Sequence, residues 1–187
     1  AHLGTSSLRR IVQLKSIRAD LKFSPIRGNL GTRLRKLDNG EFDGLVLAYA
    51  GLKRLQLCER ISFEIKPEEV LPACGQGILG IEIRSDDDDA RNLVKVLRDD
   101  KGERAGRCER ALNRYLNGGC QLPIAAYATE EGGELWLRAM VGSPNYGTLL
   151  YGEALGPISE PENLGIKVAK LLVAKGAKKL LSEVQPQ

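Results

Sequence analysis

Helix starts that carry cations recur through the first 60 residues, with extended apolar segments between them, and this alternation constrains the fold more than any other feature of the chain. "GTSSLRR" opens a helix, because Ser6 and Ser7 are good N-cap residues and Leu8, Ile11 and Val12 repeat at i, i+3 and i+4. "DLKFSPIRGN" reads as an extended segment that ends in a Gly-Asn turn. "GTRLRKLDNG" repeats the opening from a Gly-Thr start, with Arg33 in the first turn, Leu34 and Leu37 inward and Asn39-Gly40 as the stop. A buried strand over Leu45 to Tyr49 then turns at Ala50-Gly51 into a short helix that carries Lys53 and Arg54. Strands alternating with helices predict an α/β layer with parallel pairing. No strand is expected before the first helix, and further residues are expected upstream of it.

Sheets of this kind bind ligands at the carboxyl ends of their strands, where loops feed helix N-termini. Arg9, Arg10, Arg27, Arg33, Lys53 and Arg54 all fall at or near such junctions. Arg9 and Arg10 also break a local rule, since a cation in the first turn opposes the macrodipole. Solvated surface charge explains any one of these side chains, but six at equivalent junctions suggest an anionic ligand. The charge distribution agrees: residues 1–60 hold 12 Lys+Arg against 5 Asp+Glu, whereas the remaining 127 hold 16 against 19.

"LPACGQGILGIEIRSDDDDARNLVKVLR" holds a Gly-rich turn, an expected strand over Ile78 to Ile83, an acidic cap and a helix. "GQG" precedes that strand instead of joining strand to helix, so it reads as a hinge and not as a phosphate loop. Asp86 to Asp89 resemble metal ligands, but acids before a helix are favoured by the dipole alone, and no metal is expected. From Lys101 a small α+β domain is predicted. Its first helix places Cys108, Ala111, Leu112, Tyr115 and Leu116 on one face and stops at Gly118-Gly119. Strands follow around Ile124 to Ala128, Leu135 to Val141 and Leu149 to Leu155, with turns at Glu131-Gly132-Gly133 and Pro144-Asn145. A last helix runs from Glu162 to about Leu181, with Leu164, Val168, Leu171 and Leu172 on one face.

The chain has four cysteines in no CxxC pair and one histidine, His2, which argues against a zinc site, a Ser-His or Cys-His nucleophile and a disulfide framework. Cys58 and Cys108 occupy core-facing helical positions and read as small hydrophobes. Cys120 follows two glycines in a loop and precedes Gln121 and Pro123, so no helical face claims it. Thiolates form stable thioethers, which makes this loop a natural attachment point, with Cys74 beside the GQG turn as the alternative. No apolar run approaches the ~20 residues that span a bilayer, and no signal peptide is evident, so no membrane association and a cytoplasmic location are expected. Aromatic residues make up 5% and are not interleaved with the arginines, which argues against nucleic acid as a partner.

Together "GTSSLRR", "RGNLGTRLRKLDNGEFDGLVLAYAGLKRL", "LPACGQGILGIEIR" and "CERALNRYLNGGCQLPIAAYA" resemble, in order, the motifs of the porphobilinogen deaminase family, also called hydroxymethylbilane synthase. The resemblance implies a transferase of tetrapyrrole and haem biosynthesis. It joins four porphobilinogen units head to tail on a dipyrromethane primer, releases ammonia at each step and hydrolyses the product. It implies a covalent dipyrromethane cofactor linked by a thioether to Cys120. Arg9, Arg10, Arg33 and Arg54 would pair with cofactor and substrate carboxylates, with Thr5 and Ser7 adding hydroxyl and N–H contacts to the cofactor. Arg27, Arg33 and Arg54 would hold the substrate, porphobilinogen or the growing oligopyrrole. Bidentate geometry favours arginine over lysine at such positions.

The implied fold is α/β: a partial parallel-sheet domain like those of periplasmic binding proteins, then a small α+β domain with a three-stranded antiparallel sheet and helices. Residues 1–77 would be the remainder of the second domain, 78–99 a hinge and return segment, and 100–187 a C-terminal domain able to fold by itself. The family's first domain, with its catalytic aspartate, would be missing, to be supplied within a longer chain or by a second chain. No catalytic acid is assigned here, and the full-length protein is expected to be a monomer. That aspartate would assist loss of ammonia and stabilise the cationic azafulvene. A non-catalytic binding module for a small polycarboxylate is the alternative. Replacing Arg9 or Arg10 by leucine is expected to leave the fold nearly intact, relieving about 0.3–1 kcal/mol of repulsion.

Overall fold

The computed structural model describes residues 1–145 and 147–183; the last four residues of the expected C-terminal domain lie outside it. The first unit contains β1 (His2–Gly4), α1 (Leu8–Ile17), β2 (Lys22–Ser24), α2 (Leu30–Asp38), β3 (Gly44–Leu45) and α3 (Tyr49–Arg54). Its three strands are parallel in the order β2-β1-β3, with Leu3 opposite Phe23 and Gly44. The central strand is therefore one the sequence pattern does not predict. Three residues with a single large hydrophobe carry no readable period, and the ladder on both sides makes them a strand. The strand expected over Leu45 to Tyr49 ends at Leu45, because its partner β1 ends at the paired Gly4; Tyr49, Ala50 and Gly51 belong to α3. Helix α2 begins at Leu30, and Asn29 caps it by accepting from the Thr32 N–H at 2.8 Å, so the Gly-Thr pair lies inside the first turn.

After a 3-10 turn at Cys58–Arg60, in which Cys58 is exposed and not in a core, the chain runs without a strand to α4 (Asp88–Val94). The strand expected over Ile78 to Ile83 is absent. A strand exists by pairing its N–H and C=O groups with a neighbour, and no strand of the described residues lies beside this one. Leu79 is 76% exposed and Ile81 54%. Asp87 caps α4 by accepting from the Ala90 N–H at 2.9 Å, which gives the acidic run its local role. Among the described residues no group of three or more His, Cys, Asp or Glu is placed to hold a metal, and no helix is long and apolar enough to cross a membrane.

The second unit contains α5 (Asp100–Tyr115), β4 (Ile124–Glu131), β5 (Glu134–Gly142), β6 (Leu149–Pro157), α6 (Pro161–Ala174) and α7 (Ala177–Ser182). The strands form an antiparallel meander with Ala128 opposite Leu137 and Ala139 opposite Gly152. Strict alternation on β5 sends Leu135, Leu137, Ala139 and Val141 into a core with Cys108, Leu112, Leu164, Val168 and Leu172. Trp136, Arg138 and Met140 take the opposite face. The single terminal helix expected to Leu181 is two helices, broken at Gly176 with φ +100°, a conformation that glycine adopts without a Cβ penalty. Tyr115 and Leu171, expected on buried faces, are exposed at the rims of their helices.

The two units meet on a small apolar cluster of Val12 from α1, Leu71, Ala125 of β4 and Met140 of β5, with Tyr127 and Leu149 beside it. Helices α5 and α6 approach so closely that a Cβ on Gly165 would lie 2.3 Å from the Cys108 carbonyl oxygen and 2.9 Å from the Ala111 methyl. Gly165→Ala therefore sets helix propensity against packing. Propensity favours alanine by about 1 kcal/mol, whereas overpacking against a backbone carbonyl costs about 1–3 kcal/mol. The variant is expected to be less stable, with a lower urea midpoint than wild type.

Candidate functional site

The three parallel strands end on one side of the sheet, and the loops that leave them carry the residues in question. From β1 the chain passes through Thr5, Ser6 and Ser7 into α1. Thr5 is buried and its Oγ1 accepts from the Ser7 N–H at 3.3 Å, while the Ser6 hydroxyl donates to the Ile26 carbonyl at 2.9 Å and ties this loop to the one after β2. Ser7 is the N-cap residue of α1 but makes no side-chain cap bond. The first-turn N–H groups of α1 are thus not capped by their own N-cap side chain, which is the usual state of a helix start that receives an anion.

The two arginines that follow diverge. Arg10 Nη1 donates to the Val46 carbonyl, just past β3, at 2.8 Å, which places it over the crevice between β1 and β3. Burial, and then repulsion from Arg33, lowers its pKa, so these two guanidiniums share one field. Arg33 Nε in turn donates to the Gly28 carbonyl at 2.9 Å, inside the loop after β2. In a β2-β1-β3 order the chain runs from β1 to one neighbour and then crosses back to the other, and the crevice at such a switch point is where these sheets take ligands. Arg27 is exposed on the same loop as Gly28. Lys53 and Arg54 lie in the last turn of α3 and not at a helix start, where the dipole favours cations without help from a ligand.

Arg9 faces the other way. It is buried, its Nη1 donates to the Leu71 carbonyl at 2.6 Å, and its Nη2 reaches Gln76 Oε1 at 3.3 Å. Burial, reinforced by repulsion from Arg10, pushes its pKa down to about 10, which still leaves it charged at neutral pH. Gln13, one turn on, completes a clasp: its Oε1 accepts from the Leu71 N–H at 2.8 Å and its Nε2 donates to the Leu71 carbonyl at 3.1 Å. The expectation that Arg9→Leu leaves the fold intact is therefore corrected, because this guanidinium holds the seam between the two units. None of Arg9, Arg10, Arg27, Arg33 and Arg54 has an acidic partner among the described residues, whereas Arg18, Arg60, Arg98, Arg104 and Arg107 do.

Cys120 is exposed in the turn that follows α5. That helix ends in a Schellman motif, with the Gly118 N–H on the Asn113 carbonyl at 2.8 Å and the Asn117 N–H on the Arg114 carbonyl at 3.1 Å. Asn117, not a glycine, takes the left-handed position at φ 53°, and glycine is favoured at 118 because a Cβ there would lie 1.9 Å from the Asn113 side-chain oxygen and 3.0 Å from its carbonyl oxygen. A second turn, Leu122 N–H to Gly119 C=O at 3.0 Å, encloses Cys120 and Gln121, and buried Leu116 anchors one side of the loop while partly buried Leu122 anchors the other. The thiol thus projects from a braced loop. No hydrogen bond joins Cys120 to the arginines among the described residues. Cys74 is a poor alternative, since burial and the nearby Glu109 push its thiol up to about 12 and disfavour the thiolate.

Glu109, which the sequence pattern does not single out, ties the Gly75 turn to β4. It is buried, and its carboxylate accepts from the Gly75 N–H at 2.6 Å and the Ala128 N–H at 2.9 Å. Burial raises its pKa in spite of both bonds. Half-buried arginines without acidic partners beside a crevice and an open thiol on a firm loop fit a covalently attached group that bears carboxylates. Family models match the chain in two consecutive blocks: porphobilinogen deaminase, dipyromethane cofactor binding domain, over residues 1–92, and porphobilinogen deaminase, C-terminal domain, over residues 104–174.

Loss of the Arg9 guanidinium in Arg9→Leu removes a charge-assisted bond and should destabilise the chain by about 1.5–3 kcal/mol, read from urea unfolding. A pH series tests Glu109. A carboxyl whose folded pKa is raised contributes stability that is full below its unfolded pKa, ordinarily about 4.3, and is lost as pH rises through the folded value. The stability of wild type relative to Glu109→Gln is therefore expected to be greatest near pH 4 and to shrink as the pH rises.

Proposed function

Because the chain belongs to the porphobilinogen deaminase family and carries both its dipyrromethane cofactor binding domain and its C-terminal domain, we propose that it works as a hydroxymethylbilane synthase. In this reading it condenses four porphobilinogen units head to tail, with release of ammonia, and hydrolyses the product to hydroxymethylbilane. The family makes it a transferase of tetrapyrrole biosynthesis. The observation that carries the finer reading is the combination of an exposed loop thiol with partly buried arginines that lack acidic partners.

Cys120 holds dipyrromethane through a thioether, and when bound that group supplies the free pyrrole carbon on which the chain grows. Thr5, Ser7 and Arg10 bind its carboxylates at the start of α1. Arg9 joins them by exchanging the neutral Gln76 oxygen at 3.3 Å for a carboxylate oxygen, which makes a stronger, charge-assisted bond. Arg27, Arg33 and Arg54 bind carboxylates of porphobilinogen and of the growing oligopyrrole, with Arg33 also serving the cofactor, as does Arg54. The carboxylate that assists loss of ammonia is assigned outside these 187 residues, to a further domain of the same chain or of a second one. The assembled protein acts as a cytoplasmic monomer.

Peptide mass spectrometry after supply of the remaining domain and porphobilinogen tests the assignment. The adduct is expected on Cys120 and is absent in Cys120→Ser; an adduct on Cys74 overturns it, and no adduct at all favours a non-catalytic polycarboxylate binder. The isolated chain is expected to show no turnover. Arg10→Leu in the complete enzyme should lower elongation about ten- to a hundredfold, as loss of one charge-assisted bond does.

A further inference from the structure

A cavity of about 480 Å³ lies at the edge of the C-terminal sheet, between the segment around Pro67 to Leu71 and the β5–β6 pair, apart from the crevice and from Cys120. Its charged and polar lining is Glu68, Arg138, Tyr151, Glu153 and Lys175, over apolar surface from Pro67 and Leu171. Arg138 is held flat: its guanidinium carbon is 4.2 Å from the Trp136 ring centroid and 5.3 Å from that of Tyr127. Its Nη1 donates to Glu68 at 3.1 Å, while its Nε is buried with no hydrogen-bond partner among the described residues. Buried donors of this kind are rare in folded proteins, and Nη1, on Glu68, is the donor seen bonded on this guanidinium.

The polar groups around Arg138 are partly engaged with one another. Glu153 accepts from the Trp136 indole N–H at 3.2 Å, and Lys175 donates to the Tyr151 carbonyl at 2.6 Å, which covers part of the β6 edge and leaves further ammonium protons free. Among the described residues Glu68 is the only acid paired with Arg138, and its side chain is 62% exposed on a segment outside any helix or strand. It is a tethered, solvent-exposed carboxylate placed where a free one could bind. Glu153 stays beside it and disfavours a second negative charge.

We propose that this cavity is a binding site for a small monocarboxylate with an apolar body, whose carboxylate displaces Glu68 from Arg138 and is also held by Lys175. The inference does not depend on the function proposed above. Trp136 is the chain's one tryptophan and lies against Arg138, so its fluorescence reports the site directly. Titration of the whole chain with phenylacetate should give a saturable change in emission. Glu68→Gln removes the internal competitor and should lower the half-saturating concentration about two- to fivefold, the range of an exposed ion pair. Arg138→Gln should raise it at least about tenfold. Lys175→Met, an exposed change that gives up one bond to the β6 edge, should raise it severalfold and keeps the test open if Arg138→Gln fails to fold. A wild-type chain without saturable change, affinity indifferent to both cation variants, or equal affinity for uncharged 2-phenylethanol each overturns the proposal.

Discussion

The backbone of Leu71 is the point on which the arrangement depends. Gln13 takes both its N–H and its carbonyl, and Arg9 adds a second donor to the carbonyl, so both backbone groups of a buried residue outside any sheet are paired. Leaving such a group unpaired costs about 1–3 kcal/mol. The same stretch is claimed by the second unit, because the Pro72 carbonyl accepts from the Ala126 N–H at 3.2 Å and the Gly75 N–H donates to Glu109. Five consecutive residues thus carry the bonds of α1 on one side and of α5 and β4 on the other. The arginines and the loop cysteine are positioned relative to one another through this connector and the apolar cluster of Val12, Ala125 and Met140 beside it.

Adjacent residues on a helix point about 100° apart, and Arg9 and Arg10 show what that does to a pair of identical side chains. One guanidinium enters the seam and becomes part of the scaffold, while the other reaches over the end of the sheet. Both break the helix-start rule that makes them visible in the sequence, yet the rule does not say which of the two also braces the seam. Burial decides, and burial is set by residues far along the chain.

The features legible in the sequence are those with a local cause. The 3.6-residue repeat of α5 and α6 and the alternation of β5 come from packing one face against a core. Cys120 stands out because no periodic face claims it. β1 and β3 are not legible as they stand, since three- and two-residue strands are defined by neighbours and not by pattern. The Ile78 to Ile83 segment is the converse case: its composition suits a strand, but composition cannot supply a partner. Gln13 and Glu109 look like breaks in apolar faces, because their partners are backbone N–H groups 58 and 34 residues away. A polar residue in the middle of such a face is the only sequence signal that either one leaves.

The meander of the second unit joins each strand to the next through a short turn, whereas the parallel sheet of the first joins its strands through helical crossovers. Folding rates fall as contacts become less local, so β4, β5 and β6 can assemble on contacts close in sequence while β1 waits for β2 and β3. Synthesis runs the other way, and the first unit leaves the ribosome before the surface that covers Val12 exists. Nascent α1 therefore exposes its apolar face until Ala125 and Met140 have been made, which makes the interval between the two units the time of greatest exposure to chaperones and to misassociation.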